Sequence, residues 1–429
     1  MDGTFFTGRP NHLTRLFRLR IVSDPSASAL PTSNDSCRYH FWGDCDTVLR
    51  TGLESMGPDR IDMPRYVTRT PDSCLILLGY PYSPTPHTGR GNDHYLFYLT
   101  EGFQRRKVPF VVLENGRFED QFRQLVIGEP QILSRVARRS GGFWHAISPV
   151  GARVAVLLGR HPLVSTVHDV MPFFNLHRHP ARYRFLRFCI EVTCRGSDRI
   201  IVTFPSVRQF LIDQLRVPEE KISLVSYGFD RRILDVPEDP TASPRTARAD
   251  TVLFFGSWNP IDRGGDIALK AMVHVLRERP RARLLLSCRG PQTETLRRLA
   301  HDLGIERSVE FLGFVPGEKL AETFRSASVA VFPSRLGFGI QEMHAMYAGV
   351  PLVVTDVRDQ SYFVGKDGIV CPSEDPEALG VQLARLLGDE HLQAELARRG
   401  RSKIRNFSSE RMVEETLQAY AAAGWMPRG

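Results

Sequence analysis

Apolar positions along this chain gather into short runs separated by amphipathic stretches. "CLILLGY" (74–80), "PFVVLE" (109–114), "LVSTVHD" (163–169), "DRIIVTF" (198–204) and "KISLVSYGFD" (221–230) are nearly continuous, as strands buried on both faces read. Between them, "HYLFYLTEGFQRR" and "PARYRFLRFCIEVTCRG" carry helical spacing, and another helix starts at Ser206. A second series opens with "TVLFFGS" (251–257). It continues through a helix over 266–279, "ARLLLSC", a helix near 292–303, "SVEFLGF", a helix near 317–326, "VAVFPS", a helix after Gly339, and "PLVVTD". Strands alternating with helices predict parallel sheets, and two such series predict two doubly wound α/β domains. The polar, proline-rich "LDVPEDPTASPRTARAD" between them reads as a linker. No element is assigned between Asn115 and Pro162.

Residues 1–71 show little periodicity and many turn formers, and read as an N-terminal extension. Within it, "NHLTRLFRLRIV" segregates Leu13, Leu16 and Phe17 from Arg15, Arg18 and Arg20. A peripheral contact with an anionic membrane and a short exposed helix capped by Asn11 both explain this pattern. At 429 residues the chain suits two domains, and 42% hydrophobic with 24% charged residues is a globular composition. Lys and Arg number 56 against 48 Asp and Glu, a net charge of +8 that suits a phosphorylated partner without requiring one. Nothing points to nucleic acid. Seven scattered cysteines without a C-x-x-C pair argue against a metal site and for a reducing compartment, and no apolar run spans a membrane; the expectation is a cytoplasmic protein.

The candidate chemistry sits at strand-to-helix turns. Gly337-Phe338-Gly339 follows "VAVFPS" and precedes a helix, so free backbone amides and the helix dipole can hold an anion that glycine lets approach. A tight turn needing positive φ is the alternative. "FFGSWNPIDRGGD" is a second glycine-bearing loop, with Arg263 just before its helix. A diphosphate between the loops would meet amides on one side and a guanidinium on the other.

These motifs resemble the retaining glycosyltransferases of family 4, which have the GT-B fold. The resemblance covers most of residues 72–424 and rests chiefly on "VFPSRLGFGIQEMHAMYAGVPLVVTD", supported by "VEFLGFV", "SDRIIVTFPS", "SLVSYGFD", "DGIVCPSEDPEAL" and "STVHD". It implies two Rossmann-like domains facing across a cleft: an acceptor domain over 72–235, a linker over 236–250 and a nucleotide-sugar donor domain over 251–408. A C-terminal helix within 409–429 would cross back to the first domain. It further implies donor contacts from Gly89, Arg90, Gly91, Gly256, Ser257, Arg263, Gly337, Phe338, Gly339 and Ile340. His168 is implied near the reacting centre, orienting the sugar, with Arg263 beside it in the catalytic set.

Three departures stand out. The family carries Glu just before Gly-Phe-Gly and another Glu along the helix for the ribose, where this chain has Leu336 and His344; the family Arg after the first glycine is matched by Ser257. His344 is expected to face the ribose as a neutral imidazole, with a packed helix histidine as the alternative. Glu342 lies about 200° around the helix from it and is read as a first-turn acid complementing the dipole.

The expected activity is metal-independent hexosyl transfer, with retention, from a nucleotide-diphosphate sugar that serves as co-substrate with no further cofactor. The acceptor would be a glycan, a lipid-linked molecule or a small molecule. A catalytically impaired binding or scaffold protein, or an epimerase or phosphorylase on the same architecture, is the alternative.

Overall fold

A computed structural model describes residues 41–42, 68–69, 74–79, 91–113, 129–174, 180–229, 250–257, 260–290 and 292–426. The segment "NHLTRLFRLRIV", the turn residues Gly89 and Arg90, and nearly all of the 236–250 linker lie outside them. Strands run in chain order as β1 (Phe41–Trp42), β2 (Thr68–Arg69), β3 (Leu75–Leu78), β4 (Phe110–Leu113), β5 (Arg139–Ser140), β6 (Phe143–Ala146), β7 (Leu163–Val167), β8 (Arg199–Val202) and β9 (Ile222–Leu224). There follow β10 (Thr251–Ser257), β11 (Arg283–Cys288), β12 (Val309–Phe311), β13 (Val329–Phe332), β14 (Leu352–Thr355) and β15 (Ile369–Cys371). The first sheet is ordered β1-β4-β3-β6-β7-β8-β9 and is parallel except for the antiparallel two-residue edge β1. The second, β12-β11-β10-β13-β14-β15, is wholly parallel.

The helices are α1 (Gly91–Arg105), α2 (Glu129–Ala137), α3 (Pro149–Leu157), α4 (Pro180–Gly196), α5 (Pro205–Leu215), α6 (Gly265–Glu278), α7 (Gln292–Asp302) and α8 (Gly317–Arg325). They continue with α9 (Ile340–Tyr347), α10 (Asp359–Val364), α11 (Pro376–Leu387), α12 (Glu390–Ile404) and α13 (Ser409–Ala422). Prolines open α3, α4, α5 and α11, where a missing N–H leaves no helical bond unmade. No described helix is long and apolar enough to cross a membrane. The expected elements are present with ends moved by at most three residues, except that the strand expected over 221–230 stops at Leu224. The unassigned stretch holds α2, β5, β6 and α3.

Strand order reverses beside β3 in the first sheet and beside β10 in the second, because each has its next strand on one side and a later strand on the other. Chain leaving the carboxyl ends of β10 and β13 therefore diverges and opens a crevice, the usual ligand position in such sheets. One apolar cluster includes Leu75, Tyr95 and Phe229 together with Phe255, Met343 and Tyr420, so the inner sides of both sheets share a core.

The last helix, α13, supplies part of that core and lies against α1. Its Ser409 N–H donates to Phe229 O at 3.2 Å, and Glu415 accepts the Ser226 N–H at 2.6 Å. Tyr420 Oη meets His145 Nδ1 at 2.5 Å, while His145 Nε2 meets Thr166 Oγ1 at 2.8 Å. Burial pushes the His145 pKa down to about 3, so the ring is neutral and both nitrogens are used for hydrogen bonding. Tyr420→Phe strands Nδ1 in an apolar setting, and its unfolding free energy in urea should fall by about 1–3 kcal/mol with the m-value unchanged. A loss below measurement error would show that packing alone docks the helix.

Candidate functional site

Two glycine loops meet at the crevice. Gly264, with φ 83, packs so tightly against the Pro333 carbonyl that a Cβ would lie 1.8 Å from that oxygen. Glycine is required here by close approach as well as by φ. Arg335 fixes the same junction: its guanidinium grips Asp266 bidentately at 2.7 and 3.0 Å, reaches Ile261 O at 2.6 Å and bonds Glu374 at 2.5 and 2.8 Å. The Arg335 backbone N–H also donates to Asp262 O at 3.0 Å. The loop carrying Arg263 is thereby clamped to the loop carrying Gly337.

Arg263 Nη1 donates to Gly337 O at 3.2 Å, and Gly337 itself needs φ 87. Phe338 anchors the loop by stacking on Phe363 and standing edge-on to Phe204 at the end of β8. Beyond lies a cavity of about 710 Å³ lined from both sheets, by His168, Asp169, Thr203 and Tyr227 on one side and by Arg263, Leu336, Gly337, Gly339, Ile340 and Glu342 on the other. Its size fits a nucleotide-sized polar ligand.

His168 follows β7 and is buried, edge-on to Tyr95 at 4.8 Å. Its Nε2 lies 3.1 Å from Ile147 O, which can only accept, so Nε2 carries the proton and Nδ1 is a bare acceptor with no partner among the described residues. Burial lowers its pKa to about 4. At neutral pH it is an uncharged imidazole whose unpaired acceptor is buried, on a residue that lines the cavity.

Not every expected residue reaches that wall. Gly256 ends in a bulge of β10, and a Cβ there would lie 2.7 Å from Pro260 Cβ; it serves loop packing, off the cavity wall. Ser257 closes the same strand, and its side chain is outside the described residues. Gly91 is the first residue of α1, next to Asn92 on the cavity wall.

The reading of α9 needs correction. His344, expected to face the ribose or else to pack within the helix, is packed and does not line this cavity: it stands edge-on to Phe229 and Phe324 at 5.9 and 6.3 Å, with Nδ1 3.3 Å from Gln341 Oε1 and Nε2 unpaired among the described residues. Burial holds its pKa at about 3. Glu342, read as a first-turn acid, is the buried residue that lines the cavity. Its Oε1 accepts Gln360 Nε2 at 3.1 Å, and Gln360 is tied in turn to Phe332 O at 2.8 Å. The carboxylate also turns back onto the backbone amides of Gly339 and of Glu342 itself, the anion-binding end of α9. Burial pushes its pKa up to about 7, against the pull of Arg263 and of these hydrogen bonds. Arg335 and Glu342, together with the role of Gln360, are absent from the expected set, because only the fold brings 335, 342 and 360 to one junction.

Two family patterns match this chain: Glycosyl transferases group 1 over residues 249–389 and Glycosyltransferase Family 4 over 89–232. A D-inositol 3-phosphate glycosyltransferase of Corynebacterium efficiens is 27% identical over 285 residues, covering 62% of this chain and 67% of that protein. Its namesake in Corynebacterium glutamicum is 26% identical over 270 residues, 58% of this chain and 64% of its own length. The chain thus matches about two thirds of these relatives' length. Anabaena HepE, solved in complex with UDP and glucose, shares the fold with a TM-score of 0.64 at 17% identity, covering 82% of this chain and 100% of that one.

Because the Glu342 pKa lies above its ordinary carboxylate value, the folded state binds the extra proton, and this group's contribution to stability is lost as pH rises from 4.5 through about 7. Relative to the wild type, Glu342→Gln should gain on the order of 3 kcal/mol of unfolding free energy between pH 4.5 and 8. Parallel denaturant curves at the two pH values check this; an unchanged difference would return Glu342 to an ordinary exposed acid.

Proposed function

The chain belongs to family 4 of the glycosyltransferases, with the GT-B fold, and from that premise we propose that it moves a sugar from a nucleoside diphosphate to an acceptor hydroxyl with retention at the anomeric carbon. Donor binds to the second sheet and acceptor to the first. The observation that carries this reading is the Arg263–Gly337 contact, which sets a guanidinium beside the amides of the Gly337–Gly339 loop at the carboxyl ends of β10 and β13. A diphosphate there meets a fixed cation and a helix N-terminus, and both strengthen as the glycosyl–oxygen bond breaks and negative charge collects on the departing phosphate.

Bound phosphate would take the amides that the Glu342 carboxylate now faces. Proton uptake by Glu342, already poised near pH 7, removes the repulsion. His168 Nδ1 accepts a hydrogen bond from a sugar hydroxyl and orients the ring, so that the acceptor oxygen attacks from the face the phosphate leaves. The acceptor's proton passes to the departing phosphate oxygen. HepE was solved with UDP, which makes UDP the first base to test.

A second reading, nucleotide binding without transfer, is favoured by one observation: Leu336 lines the cavity where the resemblance calls for a sugar-binding Glu.

Arg263→Ala should weaken UDP or GDP binding by about 1.5–3 kcal/mol, roughly 10- to 100-fold. Calorimetric titration checks this, and unaltered affinity would remove Arg263 from the cradle. His168→Ala should instead lower kcat on the order of 100-fold while nucleotide affinity stays within twofold, since its contact matters chiefly as the transition state forms. A wild type that binds nucleotide yet neither transfers nor hydrolyses any sugar would establish the second reading.

A further inference from the structure

We propose that the sugar subsite of this cleft takes an acidic sugar, a hexuronic acid carried by the nucleotide, with its carboxylate held by Arg358. The inference rests on the donor-site reading above and adds the substrate class.

Arg358 lies between β14 and α10 and lines the cavity. Its stem runs beside the second glycine loop: a Cβ on Gly337 would lie 3.8 Å from Arg358 Cβ and 3.9 Å from its Cδ. Leu336 occupies the neighbouring position, where the resemblance expects a carboxylate. The carboxylate that the resemblance expects at 336 is absent, and Arg358 lines this end of the cavity between Asp169 and Asp359.

Backbone and charge both single the residue out. Arg358 has φ 51 and ψ −125, a conformation that suits glycine and strains any residue bearing a Cβ. Strain of this kind is retained where the surrounding structure enforces it, often at ligand sites. The guanidinium is half-buried, stacks over Phe174 at 4.6 Å from the ring centre and has Asp169 and Asp359 as charged neighbours, yet among the described residues it makes no hydrogen bond and no ion pair at contact distance. Its two acidic neighbours are engaged elsewhere. Asp359 accepts from Ser206 N and Oγ at 3.3 and 2.5 Å, and Asp169 accepts the Met171 N–H at 3.0 Å.

Asp169 and Asp359 already offset part of the Arg358 charge, but its guanidinium N–H groups, which make no hydrogen bond among the described residues, remain free to donate to a ligand. Arg263, on the far side of Gly337, faces the position assigned to the diphosphate, which leaves Arg358 for charge further along the ligand. A planar carboxylate matches the guanidinium fork with two parallel hydrogen bonds. The transferred sugar is favoured over the acceptor as its source because the Arg358 stem follows the Gly337 loop, on the donor side of the cleft.

The test compares wild type with Arg358→Gly, chosen because glycine adopts the same φ freely and the variant should melt no lower than the wild type. The full chain is titrated with UDP, UDP-glucose and UDP-glucuronic acid, and with GDP, GDP-mannose and GDP-mannuronic acid. Wild type should bind the acidic member of one pair at least 10-fold more tightly than the neutral one. In Arg358→Gly that ratio should fall to one or below, while the affinity for the sugar-free nucleotide, which reads the phosphate cradle alone, moves less than twofold. Nucleotide binding with no acidic preference in the wild type overturns this inference and leaves the donor-site reading standing; failure of both nucleotides to bind overturns the two together. Equal donor affinities, with a KM for a phosphorylated acceptor that rises only in the variant, would place the anion on the acceptor and overturn the donor assignment.

Discussion

The contact on which the site depends is the meeting of two loops at Gly264 and Pro333. Nothing larger than hydrogen fits between Gly264 and the Pro333 carbonyl, so the loop that enters α6 and the chain leaving β13 are in backbone contact. Backbone contact alone does not fix direction, and Arg335 supplies that by holding Asp266, Glu374 and the Ile261 carbonyl at once. The side chain is largely buried, and the paired carboxylates drive its pKa further up, so the clamp stays charged at any working pH. Arg263 and Gly337 then meet as a consequence. Family motifs present these loops as ligand contacts, but part of their composition serves the loops' hold on each other.

A second constraint comes from α9. Six of its eight residues, Glu342 through Tyr347, are buried, so the helix has no solvent face on which a polar residue can rest without consequence. A carboxylate on such a helix must find partners or a proton. Glu342 finds Gln360 and the amides that open the helix, and its raised pKa shows that these do not fully replace water. An imidazole fits the opposite side more easily because it can be neutral, and His344 sits among aromatic rings in that form. The same burial that makes α9 a firm floor for the cleft makes its one acid sensitive to whatever charge arrives there.

Much of the fold was legible in the sequence, since strands buried on both faces leave apolar runs that few other structures produce. "TVLFFGS" gives β10 to the residue, and "PARYRFLRFCIEVTCRG" gives α4 likewise. The "FWHA" of β6 was not legible: it carries a histidine in mid-strand, acceptable there only because Tyr420 and Thr166, 275 and 21 residues away, reach its two nitrogens. The site was read in part. Glycines and Arg263 announce themselves through spacing, whereas α9 was misjudged because a helix buried all round has no apolar stripe to show which side meets the cleft. Placing residues 342 and 344 on opposing sides was sound geometry; the side given to the cleft was reversed.

The two ends of the cleft are built differently, and the chemistry follows from that. At the end proposed for the phosphates, the groups from Arg263 to the α9 amides belong to the second sheet and its loops. At the other end the wall is shared: Asp359 caps the start of α5 through Ser206, Arg358 stacks on Phe174, and Phe338 stands edge-on to Phe204. The position of Arg358 therefore depends on the first sheet being in place, as does His168, which the first sheet carries. On the proposed reading, a nucleotide would need only one domain to be held, whereas the sugar would be surrounded only where the two meet. Discrimination among sugars, and their alignment for transfer, would on that reading be tied to contacts between the domains, and the strained backbone at Arg358 lies on that seam.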